Sequence, residues 1–335
     1  MFHQTATRTL VLLIALAGLA IYATSGGYFA REIVVEIAIL AILAVSLDVA
    51  AGFGGMVSLC HGAIMGIAAY AYAILTVKLG LPNLPAAVLS LAAAAIFGTL
   101  VGWITGRTTG IFFIMATLAF GQMAYTTIFK SRWLGGDDGI GSLSRFDLAW
   151  LGIDLDDSLV FALYALVLLA LVYIAAAWVL RSAFGRTLSG IHANEDRMRA
   201  LGVNTVIHRA RALGFSALLA GVAGILAAQH TLYISPQLLF WTVSGEVLIV
   251  VILGGLGTLI GPLVGAVLFV LLKHQISDYT DHWHIVIGLI LIATVLAGGR
   301  GLYGQVEHML ARRRPAPEKP APEKPGPEKK GLSHA

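Results

Sequence analysis

Apolar segments recur along nearly the whole chain, and they constrain the fold more than any other feature. A helix needs about 20 apolar residues to cross ~30 Å of hydrocarbon. Because 58% of the residues are hydrophobic and only 12% are charged, a soluble enzyme, a disordered chain and a secreted disulfide scaffold are excluded. The sequence therefore predicts an all-α, polytopic transmembrane helix bundle of about ten spans, at residues 9–23, 33–51, 56–77, 84–104, 110–128, 159–180, 212–229, 246–259, 263–272 and 283–297.

Three of these segments are short or interrupted. Segment 56–77 begins within a run that holds Gly54, Gly55, Ser58 and His61, and this run predicts a broken or re-entrant span. The segments on either side of residues 254–258 (sequence GGLGT) are short and are also candidates for re-entrant pieces.

The distribution of Lys and Arg predicts the orientation of the chain. Most of the 22 basic residues lie on one face, at Arg8, Arg107, the loop 181–211 and the chain from Arg300 onward. The opposite face carries six acidic residues: Asp137, Asp138, Asp147, Asp154, Asp156 and Asp157. Since cytoplasmic loops carry the excess of basic residues, both termini and the loop are predicted to be cytoplasmic. The net charge of +4 thus indicates topology rather than nucleic-acid binding.

Both ends of the chain have alternatives. Arg8 followed by an apolar run to about Ser25 resembles a secretory signal peptide, and cleavage there is the alternative to a first span. Residues 1–300 are interpreted as the transmembrane domain. Residues 301–335 are interpreted as a disordered Pro/Glu/Lys-rich cytoplasmic tail, because they repeat a charge-balanced pattern with no apolar face. The tail is either a solvated segment or an arm that docks a partner.

The predicted spans contain few charged residues and few candidates for catalysis or metal binding. Glu36, Asp48 and Glu246 are the charged residues there, and each is assigned a structural or capping role rather than a place in a proton relay. No catalytic motif and no phosphate-binding loop are present in the sequence, so the chain is predicted not to be an enzyme, with no metal site. His274, Asp278, His282 and His284 are interpreted as part of a wetted loop.

Small residues recur every four positions in several spans. Ala94, Gly98, Gly102 and Gly106 form one such row. This spacing places small groups on one helix face and predicts close helix packing.

The loop 181–211 contains a well-marked short helix. Asn194 is a candidate N-cap, acidic Glu195 and Asp196 follow in the first turn, and Gly202 is a candidate C-terminal stop. Met198 and Leu201 are predicted to share one face. Such a helix lies either on the lipid surface or in a groove of a soluble partner.

Six segments carry recognisable motifs, at residues 46–63, 116–121, 135–139, 182–202, 254–262 and 300–302. Together, over about residues 35–305, they resemble the permease subunit of branched-chain amino acid ABC transporters, the LivM type. Cys60 occupies a position that is usually glycine in that family, and residues 195–197 depart from its strict Glu-Ala-Ala form.

The resemblance implies the partners and the coupling element. It implies a second permease subunit, two cytoplasmic ATP-binding subunits and a periplasmic substrate-binding protein, in a bacterial plasma membrane. This chain itself would hold no cofactor, because the partner subunits bind ATP. The helix that would contact the ATPases comprises Asn194, Glu195, Asp196, Arg197, Met198, Arg199, Ala200, Leu201 and Gly202.

The leading hypothesis is a permease for branched-chain or similar small amino acids. Candidate residues for the translocation path are Ser58, His61, Thr117 and Gln122, because they lie in glycine-rich segments. The alternatives are a permease of the same family for urea or short amides, and an ATP-independent channel.

Overall fold

The computed structural model describes residues 6–147, 152, 154–277 and 283–296. These residues form helices and connecting segments, with one isolated antiparallel bridge between Ile140 and Ile234. Within this part of the chain the α-helices are α1 (Ala6–Ser25), α2 (Tyr28–Asp48), α3 (His61–Ala73), α4 (Asn83–Thr105), α5 (Ile111–Lys130), α6 (Ser158–Arg181), α7 (Ala183–Ala193), α8 (Glu195–Ala200), α9 (Thr205–Thr231), α10 (Trp241–Gly254), α11 (Gly261–Ser277) and α12 (Trp283–Leu296).

The predicted all-α membrane bundle is confirmed. Helices α4, α5, α6 and α9, together with the continuous segment Tyr28–Phe53, are long and apolar enough to cross a bilayer. The apolar part of α1, and helices α10 and α11, are shorter. Each predicted span overlaps a helix, although residues 56–60 are irregular and α10 ends before its predicted segment does, whereas α7 and α8 lie in the predicted loop.

Helices α10 and α11 form an antiparallel pair, displaced by a few residues from the predicted segments. Helix α10 ends at Gly254 because Gly255 takes a φ of +124°, which L side chains rarely adopt. Pro262 lies in the first turn of α11, where the missing N–H needs no partner. A Cβ on Gly265 would lie 3.0 Å from the backbone nitrogen of Gly254, so the two helices approach to backbone contact.

Helices α4 and α9 pack through the small-residue row that the sequence indicated. A Cβ on Gly98 would overlap that of Ala217, and one on Gly102 would lie 2.9 Å from the Cα of Ala210. From the other helix, a Cβ on Gly214 would overlap Thr99. Close packing of this kind drives helix association in a bilayer, because lipid tails are as apolar as the side chains and provide no hydrophobic driving force.

The chain breaks between α2 and α3, as predicted. Helix α2 continues as a π-helical segment, Val49–Phe53, and turns at Gly54 and at Gly55, whose φ is +67°. The backbone N–H of Met56 donates to the carbonyl of Ala50 at 2.9 Å and closes the turn. The chain then returns in irregular conformation to His61, where α3 begins.

The loop between α6 and α9 holds two helices rather than the one predicted. Helix α7 was missed, although Leu188 and Ile191 are buried on one of its faces at a helical spacing of three. The predicted tail 301–335 lies outside the described residues, and cleavage after the first span stays a prediction.

Candidate functional site

Helix α8 has the ends that the sequence indicated. The side chain of Asn194 accepts a hydrogen bond from the backbone N–H of Arg197 at 2.9 Å, as an N-cap does. The backbone N–H of Gly202 donates to the carbonyl of Arg199 at 2.9 Å, and its φ of +84° ends the helix. The sequence from 194 to 202 therefore forms a short helix with a defined start and stop.

Glu195 fastens α8 to α9 and is not free for a partner. Its Oε2 accepts from the guanidinium of Arg209 at 2.7 Å, and its Oε1 accepts from Arg199 at 2.6 Å and from Thr205 at 2.9 Å. The side chain of Arg209 is 9% exposed and also donates to the carbonyl of Gly106 at 3.2 Å, at the end of α4. One carboxylate and one guanidinium thus join α8, α9 and α4.

The outer face of α8 consists of exposed residues that do not bond to the Glu195 carboxylate. Leu201 is 72% exposed, Asp196 is almost fully exposed, and Arg197 and Ala200 are exposed as well. Met198 instead packs towards α7, since a Cβ on Gly190 would lie 3.0 Å from its sulfur atom. Met198 and Leu201 therefore do not form one free apolar face.

Helix α7 lies against the turn that ends the α2 segment. A Cβ on Gly55 would overlap Nδ1 of His192, and one on Gly54 would lie 3.3 Å from Cδ1 of Leu188. Leu188 is completely buried, and His192 lies one helical turn further along on the same face. The loop 181–211 therefore contacts the chain just before the break.

A chain of hydrogen bonds holds the start of α3 inside the bundle. His61 and Ser216 are 2.8 Å apart between Nε2 and Oγ, and the hydroxyl of Ser216 donates to the carbonyl of Ser46 at 2.5 Å. Because that hydroxyl has one proton, Nε2 of His61 donates to it. The backbone N–H of Gly62 donates to the hydroxyl of Ser244 in α10 at 2.8 Å.

Three of the four predicted path residues lie together at the break. Thr117 of α5 accepts from the backbone N–H of Leu59 at 3.2 Å, and the Ser58 hydroxyl is 3.1 Å from the sulfur of Cys60. Ser58, His61 and Thr117 are all completely buried.

Gln122 lies on a different surface from the other three. It lines an open groove of about 610 Å³ on α5, with its neighbours Leu118, Ala119, Met123, Thr126, Thr127 and Lys130. Most of α5 is exposed in the isolated chain, so this groove lies on a helix face that the bundle leaves uncovered.

Asp48 has the capping role that the sequence suggested, and its partner is a distant loop. The carboxylate is completely buried and accepts from the backbone N–H groups of Gly257 at 2.6 Å and Leu259 at 3.0 Å. A Cβ on Gly52 would overlap Asp48 and Gly257, so only glycine allows this approach. The residue therefore ties the α10–α11 turn to α2.

Glu36 is paired rather than extended towards the lipid headgroups. Its carboxylate accepts from Lys273 at 2.8 Å and lies 2.8 Å from Nε2 of His274, both on α11. His274 is thus engaged with α2, while Asp278, His282 and the side chain of His284 lie outside what the structure describes. Among the described residues there is no group of three or more His, Cys, Asp or Glu that is placed to hold a metal.

Comparison with known proteins shows which family the chain belongs to. A family model described as branched-chain amino acid transport system / permease component matches residues 29–295. The chain belongs to this family. It is 28% identical to the high-affinity branched-chain amino acid transport permease LivM of Escherichia coli (strain K12), over 86% of this chain and 74% of that protein.

Two further relatives show similar identity, and one of them has a different name. LivM of Salmonella typhimurium is 28% identical over 78% of this chain and 67% of that protein. The autoinducer 2 import system permease LsrC of Yersinia pestis is 29% identical over 63% of this chain and 62% of that protein. The resemblance noted from the sequence is thereby confirmed, and the chain is a multi-pass transport permease component.

Proposed function

We propose that this chain is the membrane-spanning permease subunit of an ATP-driven importer for branched-chain or similar small amino acids. The proposal is supported by the family match and by the likeness to two LivM proteins. The observation that carries the ATP-driven part is α8, a capped helix that exposes Leu201 and is fastened to the bundle through Glu195.

Helix α8 would transmit movement from the ATP-binding subunits. Asp196, Arg197 and Leu201 are the groups available for docking. A displacement of α8 would reach α9 through the Glu195–Arg209 ion pair, and α4 through the bond from Arg209 to the Gly106 carbonyl. Because α4 and α9 pack backbone against backbone, they would move as one rigid body.

The groove on α5 would form one wall of the translocation path. Gln122 and Thr126 are polar side chains on a largely uncovered membrane helix, and polar groups that face hydrocarbon are unfavourable. A second permease subunit that covers α5 would remove them from lipid and enclose the groove. Ser58, His61 and Thr117 lie at the break and would line the path only after it opens.

The protein would lie in a bacterial inner membrane with both termini and the α7–α8 loop in the cytoplasm. The basic loop 181–211 supports this orientation. A periplasmic binding protein would deliver the substrate to the opposite face, which carries the acidic residues between 137 and 157.

Uptake by the complete complex tests the substrate and the energy source. Proteoliposomes that hold both permeases, both ATP-binding subunits and the binding protein should accumulate leucine, isoleucine or valine only with ATP. Accumulation of urea or a short amide instead would assign the chain to another substrate class of its family. Flux without ATP through this chain alone would identify a channel and contradict the proposal.

A cysteine at Leu201 tests the coupling helix and the orientation together. The native Cys60 is completely buried, so an introduced cysteine is the accessible thiol. The Leu201→Cys chain should cross-link to an ATP-binding subunit and resist a membrane-impermeant thiol reagent added outside the cell. Leu79→Cys is the matched control: Leu79 is exposed and follows Lys78, which contacts Trp133 at the opposite end, so it should react from outside and form no such cross-link.

A further inference from the structure

We propose that His192 is the positioning residue through which movement of α8 reaches the break between α2 and α3. The inference deepens the proposed function and rests on it, because it concerns how an ATP-driven movement enters the membrane. In this proposal, His192 and Gly55 form the contact that links the loop 181–211 to the proposed translocation path.

The contact is close and depends on glycine. The Nδ1–Cε1 edge of the imidazole lies over the Cα of Gly55, where a Cβ would overlap Nδ1 and lie 2.7 Å from Cε1. Gly55 also has a φ of +67°, which disfavours every L side chain. The backbone conformation at this turn therefore favours glycine, and the exposed side chain of His192 packs directly on it.

A second contact on the same face of α7 restricts how α7 can move relative to the turn at residues 54–55. Leu188, one helical turn before His192, packs its Cδ1 against the adjacent Gly54 and is completely buried. The two side chains thus contact successive residues of the turn. A shift of α7 along the membrane surface would therefore displace residues 54–55 rather than slide past them.

A single residue, Asn194, connects α7 to α8, and the two helices also pack against each other. The backbone N–H of Asn194 donates to the carbonyl of Gly190 at 3.0 Å, while its side chain caps α8. Met198 of α8 packs on Gly190 of α7. Since no flexible linker separates the two helices, a displacement of α8 carries α7 with it.

The turn leads directly to the groups that close the bundle. Five residues, 56–60, separate Gly55 from His61 at the start of α3. Within or next to that stretch, Leu59 donates to Thr117 of α5, and Gly62 donates to Ser244 of α10. Movement of the turn would therefore pull on α5, whose groove is the proposed path, as well as on α3 and α10.

The test compares substitutions of His192 in the complete complex, with uptake and ATP hydrolysis measured in the same vesicles. In His192→Ala, the number of substrate molecules imported per ATP should fall by about fivefold or more, the lower range of usual coupling between sites. In His192→Phe, a planar ring still covers Gly55, so the ratio should stay close to that of the unsubstituted complex. Arg186→Ala is the matched control: Arg186 is exposed on α7 and contacts the carbonyl of Arg181, not the turn.

The outcomes separate this inference from the proposed function. If the unsubstituted complex shows no ATP-dependent uptake, the proposed function fails first. If that complex is coupled but His192→Ala keeps its ratio, or loses uptake and hydrolysis in equal proportion, the positioning role is refuted. Equal effects of His192→Phe and His192→Ala would also refute it, because a role through the shape of the ring requires rescue by another ring.

Discussion

Substitution of Glu195 by Gln should loosen α8 without removing it. A helix of six residues is too short to persist by its own hydrogen bonds, so α8 depends on its contacts with the bundle. Glu195 is the main one, since its carboxylate accepts from Arg209, Arg199 and Thr205. Gln keeps the shape of the side chain and one acceptor, but it loses the charge and turns an amide N–H towards an arginine.

The expected loss is about 2 kcal/mol. A hydrogen bond to a charged partner is worth about 1.5–3 kcal/mol where solvent is largely excluded, and Arg209 is 9% exposed. The pair with Arg199 adds little, because that side chain is half exposed and surface pairs contribute about 0–1 kcal/mol. Since 1.4 kcal/mol is a factor of ten, local opening of α8 should become roughly 30-fold more frequent.

Hydrogen exchange on the purified chain measures this opening. The amides of Met198, Leu201, Gly202 and Val203 donate to carbonyls within α8 or at its cap, so their exchange reports whether the helix is formed. Asp196→Asn is the matched control, because it makes the same chemical change at an almost fully exposed side chain and should alter exchange by about twofold or less. Equal exchange in Glu195→Gln and Asp196→Asn would refute the idea that Glu195 holds α8.

Three further substitutions test the packing of the bundle, each by thermal unfolding of the purified chain. Asp48→Ala leaves the buried N–H of Leu259 and the partly buried N–H of Gly257 without acceptors and should lower the free energy of unfolding by about 2–4 kcal/mol. Gly214→Ala should cost about 1–3 kcal/mol by overpacking α4 against α9, whereas Gly245→Ala, with nothing within 4 Å, should not destabilise. Thr117→Val removes the acceptor of the Leu59 N–H and should cost about 1 kcal/mol, and an unchanged stability would show that this bond is replaced.

Local features of the fold were predictable from the sequence. The apolar segments located the five described helices that are long enough to cross a bilayer, and Asn194 and Gly202 marked the ends of α8. These signals succeed because helix length, capping and the φ of a C-terminal glycine are set by residues a few positions apart. The Gly98 and Gly102 row likewise predicted a packing face, although not that α9 would cover it.

Pairings between distant residues were not predictable. Asp48 and Gly257 are separated by 209 positions, and no local pattern states that a carboxylate at the end of α2 will bind the α10–α11 turn. From the sequence, Glu195 is an ordinary first-turn acid. Its ion pair was not predictable, because its partner Arg209 lies on the next helix. Helix α7 was missed for a different reason: its apolar face at Leu188 and Ile191 is short, and its start lacks the side-chain cap that marks α8.

The described conformation holds the break closed with its own hydrogen bonds. The N–H groups of Leu59 and Gly62 are bonded to Thr117 and Ser244, and the Ser216 hydroxyl is bonded to the Ser46 carbonyl. A polar group left unpaired in an apolar surrounding costs about 1–3 kcal/mol, so separating α5 and α10 from the start of α3 is unfavourable unless water or a polar substrate replaces these bonds. An amino acid carries groups that can do so, and a movement that enters at Gly55 would act on the segment where those bonds are made. The scarcity of charge in the spans is therefore compatible with the proposed passage of an amino acid, because separating these helices would expose backbone N–H groups and hydroxyls rather than ionised side chains.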